Sequence, residues 1–400
     1  MAGKSMTSYA FPFYDADNHF YEPEEAFTRH LPEKFRRDFY FVELKGRKKL
    51  VIGGMLSEFI PNPTFEVVAA PGVYEKWYRA INVEGKTLRE LTGKPIHQPA
   101  EWRSGDGRLK LLDSQGLHAA LVFPTLASVI EERIGAKADT TAALFHSLNE
   151  WIDEEWGFAR QNRLFPVPFV SLSDVGLAVN ELDSVLRKGA RAIAIRPAPV
   201  PGALGGRSPG FPEFDPFWAR VAEAGVLVCM HGSDSGYDRI AKWWTGGQGE
   251  MLAFERDAFK STVDLIGRAI SDSIAALICH GVFTRHPGVR VASLENGAAW
   301  VAPLLHRLTR AHGQMPQAFS EHPRDTFTRH IYVAPFYEDS PEDLRKFVPV
   351  ERMLFGSDFP HPEGTARPLD YLEEFKGFAP AEIEKIFSTN LRNLLEGRPN

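Results

Sequence analysis

Along the chain, short and continuously apolar runs alternate with longer segments of helical spacing. The runs occupy residues 8–19 (SYAFPFYDADNH), 118–125 (HAALVFPT), 164–172 (LFPVPFVSL) and 190–199 (ARAIAIRPAP). Four more follow at 225–232 (GVLVCMHG), 289–297 (VRVASLENG), 330–336 (HIYVAPF) and 353–361 (MLFGSDFPH). Runs without polar alternation suit strands covered on both faces, as in a parallel sheet. Between them lie segments such as TAALFHSLNEWIDEEWGFAR, VGLAVNELDSVLRKG and WVAPLLHRLTRAHG, apolar at i, i+3 and i+4. Eight buried strands alternating with helices predict an α/β fold, a (β/α)8 TIM barrel. APAEIEKIFSTNLRNLLEG reads as a closing helix, entered at Ala379-Pro380 and left at Gly397.

One gap breaks the rhythm. Residues 20–117 separate strands one and two, far more than a normal crossover needs. They hold a charged stretch, LKGRKKLVIGG, and a Pro/Gly-rich path, FIPNPTFEVVAAPG. The expectation is a single barrel domain over residues 1–400. Residues 38–105 form an insertion, a small hairpin plus helices, that covers the barrel mouth or makes an oligomer contact.

Composition narrows the class. Of 400 residues, 44% are hydrophobic and 24% charged, which fits a globular protein and not a disordered one. A formal charge of −6 gives no pull toward nucleic acid or anionic membrane. No run reaches the ~18 apolar residues of a membrane span. The N-terminus lacks the apolar core of a secretory signal. The expected location is cytoplasmic. Two cysteines, Cys229 and Cys279, are too few for a disulfide framework or a thiolate zinc site.

In such a barrel the chemistry sits at the carboxyl ends of the strands. Strand one ends in Asp15-Ala16-Asp17-Asn18-His19, and alternation puts Asp15, Asp17 and His19 on one face. Strand four ends in Arg196, strand five in His231, strand six in Glu295-Asn296, and strand eight in Asp358 with His361 beyond it. Singly, each has a structural reading: a packed histidine, a capping carboxylate, an Asp-Phe-Pro turn, a salt bridge. Together, Asp17, His19, His231, Glu295 and Asp358 converge on one mouth. Imidazole and carboxylate without thiolate suit a divalent ion such as Zn, Fe or Mn, one or two of them. His361 is a candidate pocket residue, and His280 a helix-end residue. Trp243, Trp244 and Phe254, in the long loop after strand five, either wall an apolar pocket or pack on the barrel.

These segments resemble the amidohydrolase superfamily, in its branch related to aminocarboxymuconate semialdehyde decarboxylase. The likeness is carried by DADNHFYEP, RLKLLDSQGLHAALVFPT, VLVCMHG, GVFTRHPGVRVASLENGAAWVAPLLHRL and RMLFGSDFPHPEG, between residues 12 and 395. It implies a metal-dependent TIM-barrel enzyme, often a homodimer, in which Asp358 takes a proton from water. Two positions depart from the family pattern. Strand one usually opens His-x-His and here reads Asp17-x-His19. Strand six usually carries a histidine where this chain has Glu295, and in the decarboxylases that histidine takes part in catalysis.

The departures favour a hydrolase acting on a carbonyl of an ester, amide or acyl-CoA thioester. Catalytic roles fall to Asp358, to Glu295 as proton shuttle or further ligand, and to Arg196 as oxyanion stabiliser. The alternatives are non-oxidative decarboxylation of an aromatic or unsaturated carboxylic acid, and a barrel that binds without catalysis. Abundant aromatics, 29 Phe, 10 Tyr and 8 Trp, point to an apolar or aromatic acyl group. The basic Lys45, Arg47, Lys48 and Lys49 would meet nucleotide phosphates or form a solvated turn.

Overall fold

The apolar runs become strands wherever backbone donors are available to pair them. The computed structural model describes residues 9–57, 60, 62–81, 84–202, 205–246 and 257–397. Its strands are β1 (Tyr14–Phe20), β2 (Phe39–Leu44), β3 (Arg47–Ile52), β4 (Met55–Ser57), β5 (Val67–Val68) and β6 (Ile96–His97). They continue with β7 (Ala119–Pro124), β8 (Leu164–Pro166), β9 (Ala192–Ile195), β10 (Leu227–His231), β11 (Arg290–Leu294) and β12 (Ile331–Val333).

Two parallel sheets form the wall, β1-β7-β8 and β9-β10-β11-β12. Pro166 and Pro168 offer no N–H, so β8 stops early. The wall still continues, because Val170 donates to the Ala194 carbonyl at 2.9 Å and Ala194 to that of Pro168 at 2.8 Å. Residues 353–359 form no regular ladder, yet they join the two remaining edges. Leu354 donates to the Val333 carbonyl at 2.9 Å, Ala16 to Phe355 at 2.8 Å and His19 to Phe359 at 2.7 Å. Hydrogen bonds thus run from β1 through seven further segments and back, which is the expected TIM barrel. Its wall is lined by buried Val122, Phe123, Val228, Met230, Val291 and Leu354.

Helices cover the outside. Ala138–Glu155, Val175–Arg187, Leu265–Cys279 and Val301–Gln314 each bury one stripe on the wall. The C-terminal helical stretch opens at Pro380 and ends at Gly397 in the left-handed conformation, a C-terminal stop. Among the described residues, no helix is long and apolar enough to cross a membrane.

Residues 38–105 leave the barrel as a separate antiparallel sheet, β2-β3-β4, and a short β5-β6 pair. Lys45-Gly46 and Gly53-Gly54 all have positive φ, as two-residue turns matching the strand twist require. Lys48, on β3, is paired with Glu24 at 2.6 Å. The segment touches loops at the carboxyl ends of the barrel strands. Tyr74 donates to the Pro362 carbonyl at 3.0 Å, and Arg79 to that of Tyr337 at 3.3 Å. Phe65 stacks on Tyr21 at 4.8 Å, and Trp102 meets Phe359 edge-on at 5.5 Å.

Candidate metal centre

A bulge in β1 decides which carboxylates face inward. Asp15 pairs with Ala120 but Asn18 with Val122, so three steps on β1 match two on β7. Strict alternation therefore fails, and Asp15 does not join the inward cluster. It is fully buried and accepts from Asp17 N at 3.1 Å, Ser357 N at 3.0 Å and Ser357 Oγ at 2.6 Å. Burial raises its pKa to about 7. Asp15 thereby ties the bulge to the eighth segment, where Asp358 N also donates to the Asp17 carbonyl at 2.8 Å.

The other donors converge. His19 Nε2 lies 3.2 Å from Asp17 Oδ1, 3.3 Å from Glu295 Oε2 and 3.3 Å from Asp358 Oδ1. His231 Nε2 lies 3.2 Å from the same Asp17 oxygen and 3.1 Å from Glu295 Oε2. Asp17, His19, His231 and Glu295 form one group of mutually close donors; His19, Glu295, Asp358 and His361 form a second that overlaps it.

The backbone supplies the aim. His231 Nδ1 donates to the Gly232 carbonyl at 2.9 Å, which leaves the Nε2 lone pair facing the cluster. Its ring stacks on Phe123 at 4.4 Å. Asn296 Nδ2 donates to the carbonyls of Met230 at 2.8 Å and Leu294 at 2.7 Å, pinning the end of β11 to β10. Glu295 and Asp358 both sit at left-handed φ, 51° and 54°. Two non-glycine residues strained at one site mark a functional constraint. Neighbouring glycines make room for them: a Cβ on Gly232 would lie 2.4 Å from the Glu295 carbonyl oxygen, and one on Gly364 2.3 Å from that of Asp358.

Electrostatics fit a cation. Burial works against a charged His19, but Asp17 and Glu295 outweigh it and raise its pKa to about 9. Burial likewise opposes a charged Asp17, yet His231 and His19 hold its carboxyl below the usual range. Asp358 is pushed well above the usual range by burial, then by Glu295, Glu363 and Asp17. Donor bonds of ~2.1 Å set neighbouring ligand atoms roughly 3.0–3.4 Å apart at octahedral to tetrahedral angles. The observed separations fall in that interval, and His19 Nε2 and Glu295 Oε2 are buried without an aligned hydrogen bond. The residues fit a divalent ion.

Other candidates lie elsewhere. Arg196 Nη1 donates to Glu132 Oε2 at 2.7 Å and Nη2 to the Pro199 carbonyl at 3.3 Å, so its guanidinium is tied to Glu132 and not to the cluster. Trp243 and Trp244 end the helix Asp238–Trp244 and are 77% exposed, so they wall no pocket here. Phe254 lies outside the described residues. His280 caps the helix Leu265–Cys279 and bonds Ser208 at 2.7 Å.

The sequence undervalued the groups behind the donors. His361 Nδ1 is 2.7 Å from Asp358 Oδ1. Glu22 accepts from the backbone N–H of Thr125, Leu126 and Ala127 at 2.9–3.0 Å, joining the exits of β1 and β7. The position of His361 three residues past Asp358 was the available signal; nothing in the spacing marks Glu22.

Comparison with known proteins places the chain in a family and supports its fold. The family model described as Amidohydrolase matches residues 15–396. An amidohydrolase, map2389c, from Mycobacterium avium subsp. paratuberculosis K-10 is 40% identical over 97% of this chain and 100% of its own, with a TM-score of 0.91. A dihydroxybenzoic acid decarboxylase from Polaromonas sp. JS666, solved with manganese and 2-nitroresorcinol, is 15% identical over 96% and 97% of the two chains (TM-score 0.61). The 4-oxalomesaconate hydratase of Rhodopseudomonas palustris is 14% identical over 96% of each chain (TM-score 0.54). At these identities the last two share the fold. No curated protein sequence matches. The chain belongs to the amidohydrolase family.

Proposed function

We propose that this family member is a metal-dependent hydrolase of an uncharged carbonyl: an ester, an amide or an acyl thioester. One observation carries the reading, the convergence of three carboxylates (Asp17, Glu295, Asp358) with two imidazoles (His19, His231) in one buried cluster. These five residues would hold the ion. When bound, a divalent cation polarises a carbonyl and lowers the pKa of water. Three carboxylates more than neutralise a 2+ charge. Such a centre gains little by taking up a further anionic carboxylate, as decarboxylation requires, and tolerates a neutral carbonyl.

The chain's own groups do the rest. Asp358 accepts a proton from the attacking water, whose oxygen bonds to the carbonyl carbon. Asp358 then gives that same proton up, relayed by Glu295 across the cluster, to the leaving oxygen, nitrogen or sulfur as its bond to carbon breaks. Tyr21, Phe65, Trp102 and Phe359 give the β1 side of the mouth an apolar aromatic character that suits an apolar acyl group. Manganese, the ion in the Polaromonas structure, is one candidate alongside zinc and iron.

The test is Asp358→Asn, with metal content measured, against a panel of esters, amides, thioesters and aromatic carboxylic acids. The expected result is a ~10²–10⁴-fold loss of hydrolysis, the usual worth of a general base. Full activity in metal-loaded Asp358→Asn would remove the base assignment. A second reading, decarboxylation, is favoured by the short Asp358–His361 hydrogen bond, which holds a proton that could be given to carbon. Release of carbon dioxide in place of an acid with its alcohol, amine or thiol would select it.

A further inference from the structure

We propose that His361 is a positioning residue for Asp358, itself held by Thr125. This rests on the metal centre proposed above and adds a role for a ring outside the five ligands. His361 is 7% exposed, and both its nitrogens are engaged. Nδ1 lies 2.7 Å from Asp358 Oδ1, and Nε2 lies 3.0 Å from Thr125 Oγ1. A carboxylate at Asp358 only accepts, so Nδ1 carries the one proton of the neutral ring, and Nε2 accepts from the Thr125 hydroxyl, whose oxygen also lies 3.0 Å from the Phe20 carbonyl. His361 stands within the second donor group, beside His19, Glu295 and Asp358, yet it has no nitrogen left for an ion.

The ring is fixed from several sides. It faces the His19 ring at 3.9 Å, and Tyr21 at 5.7 Å. Thr125 is anchored in turn by its N–H, which donates to Glu22 Oε2 at 3.0 Å. A line of contacts thus runs from Glu22 through Thr125 and His361 to Asp358, across the exits of β1, β7 and the eighth segment. Asp358 stands at a left-handed backbone position, and the hydrogen bond that sets its carboxylate comes from His361. Partners that orient a ligand from behind are typically worth ~10–100-fold in metal affinity.

The experiment titrates metal-free protein with Co²⁺, read by calorimetry and by visible absorption. Wild type and His361→Gln are expected to bind the same number of ions, the variant ~10–100-fold more weakly and with a shifted spectrum. Thr125→Val is expected to move affinity in the same direction, and Thr125→Ser, which keeps the hydroxyl, to restore it. The threonine pair carries the test should His361→Gln fail to fold. Unchanged affinity in His361→Gln or Thr125→Val overturns the proposal. So does the loss of one ion in His361→Gln, which would make His361 a ligand. A wild-type chain that takes up no Co²⁺ overturns the metal centre and this role together.

Discussion

His19 and His330 are equally buried, each 1% exposed, yet the two ends of the barrel treat them in opposite ways. His330 lies at the floor, just before β12. Its Nδ1 donates to the Val289 carbonyl at 2.8 Å, and its ring stacks on Phe283 at 4.6 Å. Burial, reinforced by Arg290 and Arg329, lowers its pKa to about 4. His19, at the mouth, is raised to about 9 because carboxylates surround it. Burial alone does not set the charge of a histidine; the neighbours do. The floor spends its polar groups on backbone partners and is built for stability. The mouth leaves buried donors aimed at one another, an arrangement suited to a cation.

The largest effect expected from breaking this contrast is at Gly232. A Cβ there would lie 2.4 Å from the Glu295 carbonyl oxygen, which cannot move without displacing Glu295. Gly232→Ala is expected to cost about 3 kcal/mol, the upper range for overpacking, and to weaken metal uptake at least tenfold. Denaturant unfolding and a metal titration measure both. Loss of stability with uptake intact would mean that the backbone does not aim Glu295.

A smaller effect is expected at the floor. The folded pKa of His330 lies below the ~6.5 of an unfolded histidine, so the unfolded chain binds more protons between those values. Its contribution is complete above pH 6.5 and is lost as pH falls through about 4. At ~1.4 kcal/mol per unit, about 2 kcal/mol goes between pH 7.5 and 4.5. His330→Gln keeps an N–H donor but does not titrate, so its stability should fall less over that interval. Parallel urea curves for the two proteins would show that the floor does not hold His330 neutral. Metal uptake should be the same in both.

The smallest effect is expected at Gly225, where the helix Asp215–Ala224 turns down to the floor end of β10. Its φ is 64°, but a Cβ would meet nothing within 4 Å. Asparagine tolerates this conformation, so Gly225→Asn should cost less than ~1 kcal/mol and leave the metal centre untouched. A loss of uptake here would blur the separation of floor from mouth.

The barrel was legible because its strands are buried on both faces and read as unbroken apolar runs. The five donors were legible because each ends such a run. What escaped depends on register and on contacts across the chain. The bulge in β1 takes Asp15 off the shared face, and alternation has no sign of it. The eighth segment makes only isolated bridges to its neighbours, Phe359 with Asn18 and Met353 with Val333, where a full strand was expected. Arg196 carries no mark of its partner Glu132, 64 residues away, nor His361 of Thr125, 236 away. The hairpin and a place over the mouth were expected of the insertion, but not the residues that make its contacts there, Tyr74 with Pro362 and Arg79 with Tyr337.

The most direct test of the central claim is an anomalous-difference map from a crystal of the metal-loaded protein. The account predicts a strong peak within bonding distance of Asp17, His19, His231, Glu295 and Asp358. A map without a peak there, or with its metal bound elsewhere, would contradict it.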